Sequence, residues 1–267
     1  MVPVQGRRNG TGFAAGSLIG ALGGLVGLGG AEFRLPLLKG MFRLATLEAV
    51  IFNKAMSLLV VVAALLSRSG SIPWGELWAH GAIVANLLAG SLFGAWFAAG
   101  KAIRLPEKVL NTIIMLLLVG LALLLLAQHL FHLSPTGQPL FSSPVIQGLA
   151  GVAAGFFIGV VAALLGVAGG ELLIPTIVLL WGADIKLAGS LSLAVSLPTM
   201  VVGFMRYREA AAFEVLGRER PLFLFMAAGS LVGAVIGGLV LGWVPTDLLI
   251  VVLALILLVS AVKVFKH

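Results

Sequence analysis

Long, uninterrupted apolar stretches dominate the chain, at Thr11–Gly30, Thr46–Leu66, Trp78–Ala99, Val109–Ala127, Val145–Ala168, Leu187–Met205, Leu222–Leu241 and Leu248–Val262. Most approach the roughly 20 residues that an α-helix needs to cross a hydrocarbon core of about 30 Å. No water reaches the backbone there, so only helices and closed barrels satisfy their own amides. Barrel strands alternate apolar and polar positions, whereas these stretches are apolar throughout. The pattern therefore predicts an all-α polytopic membrane protein of about eight hydrophobic segments. Composition agrees: 60% of residues are hydrophobic and 10% charged, and mean hydropathy is +1.16, too little charge to cover a soluble surface.

A second pattern lies over the first. Adding 139 to Gly16, Gly20, Gly27, Gly30, Glu32 and Pro36 reaches Gly155, Gly159, Gly166, Gly169, Glu171 and Pro175. The same offset carries Ala49, Ala55 and Ser57 onto Ala188, Ala194 and Ser196, and Gly90, Ser91, Gly94 and Ala95 onto Gly229, Ser230, Gly233 and Ala234. Pro106 reaches Pro245. Leu, Ala and Val match by chance in any two apolar runs, but Glu, Pro and Ser at one offset do not. The chain reads as a duplication: a first membrane repeat over 1–128, a turn-rich connector over 129–148 and a second repeat over 149–267. The first stretch follows Arg7 and Arg8, as a signal peptide would. Its glycine pattern recurs in the second repeat, so it is expected to belong to the mature fold.

Charge decides between two topologies. If all eight stretches cross, one side holds nine Lys and Arg (Arg7, Arg8, Arg68, Arg206, Arg208, Arg218, Arg220, Lys263 and Lys266) and the other six (Lys39, Arg43, Lys101, Arg104, Lys108 and Lys186). If the first stretch of each repeat instead enters, breaks at its glycines and returns, the repeats are inverted. Thirteen cations then share one side, and only Arg68 and Lys186 remain on the other, with Arg34 and Lys54 inside the membrane. The positive-inside rule favours the second arrangement, with both termini cytoplasmic. The same rule accounts for the net charge of +7 without any nucleic-acid partner.

The breaks carry the candidate chemistry. Gly27, Gly29 and Gly30 in the first repeat, and Gly166, Gly169 and Gly170 in the second, weaken the helix and open backbone conformations closed to other residues. A helix that stops and restarts exposes unpaired amides at its new N-terminus, which suit an anion. Glu32 and Glu171 follow the breaks directly; they either neutralise a base and cap the restarted helix or couple a proton. Arg34 and Lys54 have Leu173 and Leu193 as counterparts, so the pair of sites is asymmetric in charge. Charge at bilayer depth costs at least about 2.5 kcal/mol, which marks each ionisable group as a functional candidate. Asn53, Ser57, Ser192 and Ser196 stand on corresponding turns of the second helices, four apart on one face. They serve either as neutral donors to an oxyanion or as helix–helix hydrogen bonds. Glu48 is expected to pair with Arg43 or with its helix dipole, and Arg206 and Arg208 to anchor the sixth stretch at the membrane surface.

The Gly-x-Gly-Gly run before Pro36 and its variant before Pro175 resemble the TauE/SafE sulfite-exporter family. So do the Ser-bearing second helix, the Gly-Ser-x-x-Gly third helix and the Pro that opens the fourth. The resemblance covers essentially the whole chain. It implies a transporter in the bacterial inner membrane that exports small sulfur-containing anions such as sulfite or organosulfonates, by alternating access at a site between the repeats. The chain departs from the pattern at Asn53-Lys54 and where Ala31 and Ala168 each replace a glycine of the other repeat. A coupling proton or sodium ion, lipid contacts and a homodimer stay open, as does transport of another small anion or a metal ion. Metal ligands cluster, however, and the four histidines are scattered with no cysteine beside them. No cofactor is implied. An intramembrane hydrolase would rest on Ser91 with His80. The Gly-Ser-x-x-Gly motif recurs at Gly229–Gly233 without a matching histidine, so it reads as packing and no enzyme is expected.

Overall fold

The computed structural model describes residues 2–26, 31–68, 74–130 and 139–240. Every element among them is helical: α1 (Val2–Val26), α2 (Ala31–Gly40), α3 (Thr46–Arg68), α4 (Trp74–Ala79), α5 (Gly81–Ala102), α6 (Glu107–Leu130), α7 (Pro144–Leu165), α8 (Gly170–Trp181), α9 (Ile185–Tyr207), α10 (Val215–Arg218) and α11 (Arg220–Val240). Four stretches among the described residues are long and apolar enough to cross a membrane: Thr46–Ala63, Gly81–Ala102, Pro144–Leu165 and Leu187–Tyr207. The bent pair Ala211–Arg218 and Arg220–Ile236, at 71°, makes a fifth if it is one span. Among the sequence-expected features, the Gly27–Gly30 break and the Leu248–Val262 stretch lie outside the described residues.

The helices form two compact units. The first comprises Met1–Met56, Leu105–Leu133 and Ala210–His267; the second comprises Ser57–Arg104 and Ser134–Glu209. Each draws on both sequence repeats.

In the first unit α1 packs along α11 with almost no space between the backbones. A Cβ on Gly16 would sit under 3.0 Å from the Met226 carbonyl oxygen, and one on Gly20 would meet that of Ser230. The fit is reciprocal, since Gly229 abuts the Phe13 carbonyl and Gly233 that of Ser17. The paired numbers rise together, so α1 and α11 run parallel. Without a hydrophobic drive between helices in lipid, this close approach is what holds such a pair. Phe223 of α11 meets Phe52 of α3 edge to face, with ring centroids 5.3 Å apart.

In the second unit the same arrangement joins α7 to α5. Gly155 abuts the Leu87 carbonyl, Gly159 that of Ser91, Gly90 that of Val152 and Gly94 that of Phe156. Each of these four contacts is one from the first unit with both residue numbers displaced by 139. The duplication read in the sequence is thus a duplication of helix packing. α9 also runs parallel to α5: Ser91 pairs with Thr199 near the middle, and Trp96 and Gly100 both meet Arg206 towards the C-terminal ends. Ile83, Leu87, Ile158, Leu173, Ile177, Leu191 and Val195 fill the core between α5, α7, α8 and α9.

α7 is about 33 Å long at 1.5 Å per residue, so the apolar stretch that begins at Val145 is one continuous helix. Its break comes at the end, at Gly166, and α8 runs only about 18 Å beyond it.

The packing predicts how each glycine answers substitution. Gly16→Ala, Gly20→Ala, Gly155→Ala and Gly159→Ala should each lower thermal stability, by about 1–3 kcal/mol for an overpacked contact. Gly120→Ala, with nothing within 4 Å of the added Cβ, should be neutral or slightly stabilising. Thermal unfolding in detergent, followed by gel filtration, separates the two groups.

Candidate functional site

The second unit shows how a helix break is built. Gly166 ends α7 in the left-handed conformation (φ 68°), and Gly169 opens α8 in the same region (φ 81°). Both need a residue without a side chain. The amides of Gly166 and Val167 turn back to donate to the carbonyls of Ala163 (3.3 Å) and Ala162 (3.2 Å), which closes the end of α7. The Gly169 carbonyl then accepts from Leu172 (3.1 Å) and Leu173 (2.9 Å) to start α8. Two side chains of α9 complete the turn. Ser196 Oγ donates to the Ala168 carbonyl at 2.7 Å, and the buried Tyr207 hydroxyl donates to that of Ala163 at 3.1 Å. Glu171 lies buried in the first turn of α8. Ser192 is buried too, but its hydroxyl returns to the Gly189 carbonyl of its own helix (2.8 Å).

The first unit places charge at the corresponding point. α2 begins at Ala31 with Glu32 in its first turn, and Glu32, Arg34, Asn53 and Lys54 are all buried. Asn53 of α3 does two things at once. Its Nδ2 donates to the Ala31 carbonyl at 2.9 Å, and its Oδ1 accepts from Arg34 Nη1 at 3.2 Å. The amide thereby ties the start of α2 to α3 and orients the guanidinium. The Glu32 carboxylate is close enough to act on Arg34 electrostatically. Lys54 follows Asn53 on α3 and is shielded completely, and Ser57, one turn from Asn53 along the helix, is buried as well.

The structure therefore joins Arg34 to Asn53 at the start of α2 and Ser196 to the break before α8, and it turns Ser192 back on its own helix. Gly27, Gly29 and Gly30 lie outside the described residues. Glu48 stands in the first turn of α3, as the dipole reading expects, and accepts from the Ala45 amide at 3.3 Å, but its ion pair is with Arg218, whose Nη2 reaches the carboxylate at 2.8 Å. Arg43, which was expected to pair with it, stands in the left-handed region instead (φ 56°). The pairing with Glu48 holds the Arg218 guanidinium above its ordinary value. Arg206 stacks on Trp96, 4.7 Å from the ring centre, and pairs with Glu209.

A polar cluster in the first unit was not foreseen. The buried Lys39 ammonium donates to Thr46 Oγ1 (2.6 Å) and to Asn111 Oδ1, while Glu107 accepts from the Thr46 amide (3.0 Å) and hydroxyl (2.8 Å). It knots the end of α2 to the starts of α3 and α6. In sequence Lys39 looked like one more loop cation; Thr46 and Asn111 at the mouths of apolar stretches were the available signal. Tyr207, the chain's single tyrosine, was a comparable hint. Among the described residues no three His, Cys, Asp or Glu stand together as metal ligands.

These features define a multi-pass helical membrane protein with buried cationic and amide groups at the start of a short helix. The model of the family described as Sulfite exporter TauE/SafE matches residues 3–125, so the resemblance seen in the glycine, serine and proline motifs holds over the first repeat. That family is one of transporters and not of enzymes. No curated protein and no solved structure gives a significant match.

The Thr46 donors hold the Glu107 carboxyl below its ordinary value of 4.5. A depressed carboxyl stabilises the fold at pH above about 4.5, and the contribution fades as pH falls through the lowered value. Glu107→Gln should therefore lower stability at neutral pH and flatten the acid limb of a stability–pH curve by the same amount, so that the two proteins converge at low pH. Thermal unfolding of both proteins across acid and neutral pH measures this.

Proposed function

We propose that the protein carries a small sulfur-containing anion, sulfite or an organosulfonate, across the bacterial inner membrane by alternating access of two inverted repeats. The observation that carries the reading is the buried Arg34 guanidinium, oriented by Asn53 at the start of α2, with Lys54 buried beside Asn53 on α3. A guanidinium presents paired N–H groups that match two oxygens of an oxyanion. The restarted helix adds backbone amides and the positive end of its dipole. The sulfur oxyanion as substrate class comes from the TauE/SafE match. Gly27, Gly29, Gly30, Glu32, Arg34, Asn53, Lys54 and Ser57 in the first repeat, with Gly166, Gly169, Gly170, Glu171, Ser192 and Ser196 in the second, make up the proposed substrate-binding set.

Helix direction supports the inverted topology. α7 and α9 both run parallel to α5, and only α8 lies between them in the chain. Two parallel neighbours require the chain to come back between them, and α8 covers about 18 Å of that return. If all eight apolar stretches crossed in turn, α9 would run opposite to α7. A hairpin of α7 and α8 that enters and leaves on one side removes the conflict. It also gives the thirteen-to-two distribution of Lys and Arg.

Flux measurements in proteoliposomes test the substrate assignment. The protein should accelerate counterflow of at least one of sulfite, thiosulfate, sulfoacetate or taurine over empty liposomes. Arg34→Ala and Lys54→Ala should abolish that flux in protein that remains folded and monodisperse. Lys54→Arg should retain part of it, because a planar fork replaces a compact ammonium poorly. Full activity in both alanine variants would remove these cations from the site. Divalent-cation flux without anion flux would overturn the assignment itself.

Topology has its own test. A reporter inserted between Pro135 and Pro144 should be accessible from outside the cytoplasm, and reporters at both termini should read as cytoplasmic. A connector on the same side as the termini would restore parallel repeats.

A further inference from the structure

The C-terminal ends of α5 and α9 carry a group of residues that transport chemistry does not use. Both helices are membrane-spanning in length, they run parallel, and they end together where Arg206 meets Trp96 and Gly100. Phe93, Trp96 and Phe97 are exposed on α5, at 64%, 47% and 47%. In a spanning helix these side chains face lipid. Phe156 of α7 extends the surface, with its ring centre 5.9 Å from that of Phe93 and 6.4 Å from that of Phe97.

Each aromatic at the top of this face is capped by a cation. Lys101 Nζ stands 5.6 Å above the Phe97 ring, and the Arg206 guanidinium 4.7 Å above Trp96. Gly100 is what lets Arg206 lie so close, since a Cβ there would approach its Nε to 3.0 Å. Glu209 fixes Arg206 from the far side. Arg104 and Arg208 are exposed just beyond. Over the two helix ends Lys101–Arg104 and Arg206–Glu209, four cations (Lys101, Arg104, Arg206 and Arg208) stand against one acid, Glu209, a net charge of +3. An apolar aromatic wall below and a cationic rim above have the profile of an amphiphile with an anionic head.

We propose that this corner binds an anionic phospholipid. Its phosphodiester sits between Lys101 and Arg206, and one acyl chain lies along Phe93, Trp96 and Phe97. The aromatic wall is the reason for naming a lipid instead of free phosphate, because a small anion would use only the rim. Positive charge at a membrane surface attracts acidic headgroups by an amount worth about fivefold in affinity per cation. An aromatic ring placed at the interface holds the chain register.

Quenching of tryptophan fluorescence by brominated lipids tests the site. The full-length protein in a neutral detergent is titrated with phosphatidylglycerol or phosphatidylcholine brominated in one acyl chain. Trp96→Phe isolates the Trp96 component. Phosphatidylglycerol should quench that component at a concentration at least fivefold lower than phosphatidylcholine. Lys101→Gln, a change at an exposed side chain, should raise the phosphatidylglycerol midpoint about fivefold, and adding Arg206→Gln should bring it level with phosphatidylcholine. Circular dichroism and gel filtration check that each variant is folded. Should the double variant fail that check, Lys101→Gln alone decides. Equal midpoints for the two lipids in the unaltered protein would overturn the proposal. So would displacement of the lipid by millimolar inorganic phosphate, which would indicate a small-anion site.

Discussion

A helix that stops in apolar surroundings leaves amides and carbonyls without partners in its own helix, and some other group must take them over. This constraint governs the rest of the structure. At the end of α7 the left-handed Gly166 turns two amides back onto Ala162 and Ala163, and Ser196 and Tyr207 supply donors to Ala168 and Ala163. At the start of α2 the donor is Asn53. In both units the helix that follows the break, α3 or α9, holds the broken segment in place through single side-chain hydrogen bonds. Each such bond is worth about 1 kcal/mol net. The substrate-binding role proposed for this region rests on the same groups, because backbone freed from its helix is the only backbone in a membrane able to meet a ligand.

Close helix pairs make such breaks tolerable. α1 with α11, and α5 with α7, are bound by reciprocal glycine-to-carbonyl contacts that leave no room for a methyl group. Each pair joins a helix of one sequence repeat to a helix of the other. The duplicated packing thus depends on both repeats, and neither repeat contains its own partner. Hydroxyls add asymmetry on this frame. Ser91 finds Thr199 at 2.7 Å, but the first repeat has Val60 at the position that corresponds to Thr199, and Ser230, the counterpart of Ser91, makes no hydrogen bond among the described residues.

Much of this was legible in the sequence, for a physical reason. Apolar runs long enough to cross a bilayer have few other uses, and glycines four apart have one dominant use in a membrane. The 139-residue offset gave the repeat because Glu, Pro and Ser do not recur by chance in apolar runs. The polar contacts were harder to read. Asn53 could have faced a ligand or another helix, and it holds both Arg34 and a backbone carbonyl, while Ser192 binds its own helix. A helical wheel gives direction but not which of several acceptors within reach is taken. The knot of Lys39, Thr46, Asn111 and Glu107 brings together residues up to 72 positions apart. Local pattern marks Thr46 and Asn111 as polar positions at the mouths of apolar stretches but does not pair them. The ion pair of Glu48 could not be read for a related reason, since Arg218 is 170 residues away and Arg43 only five, whereas its place in the first turn of α3 was legible.

The duplication also works as an internal control on what the charged residues are for. The second unit builds a break, a short helix and a packed core with Leu173 where the first has Arg34, and with Leu193 where it has Lys54. Leucine favours insertion by about 0.5 kcal/mol at the middle of a membrane helix, whereas lysine or arginine opposes it by about 2.5–3.5 kcal/mol. The first unit thus carries roughly 3 kcal/mol at each of two positions that the same scaffold accepts as leucine. Glu32 and Glu171 differ in this respect, because both copies keep the carboxylate and burial alone cannot separate scaffold from function there. Packing explains Gly16, Gly20 and their counterparts, and hydrogen bonding explains Asn53 and Ser196. Arg34 is met within the protein by Asn53 and by the nearby Glu32, yet the second repeat keeps the equivalent glutamate and places leucine at both cation positions. The anion site proposed for the first repeat gives that extra charge a use.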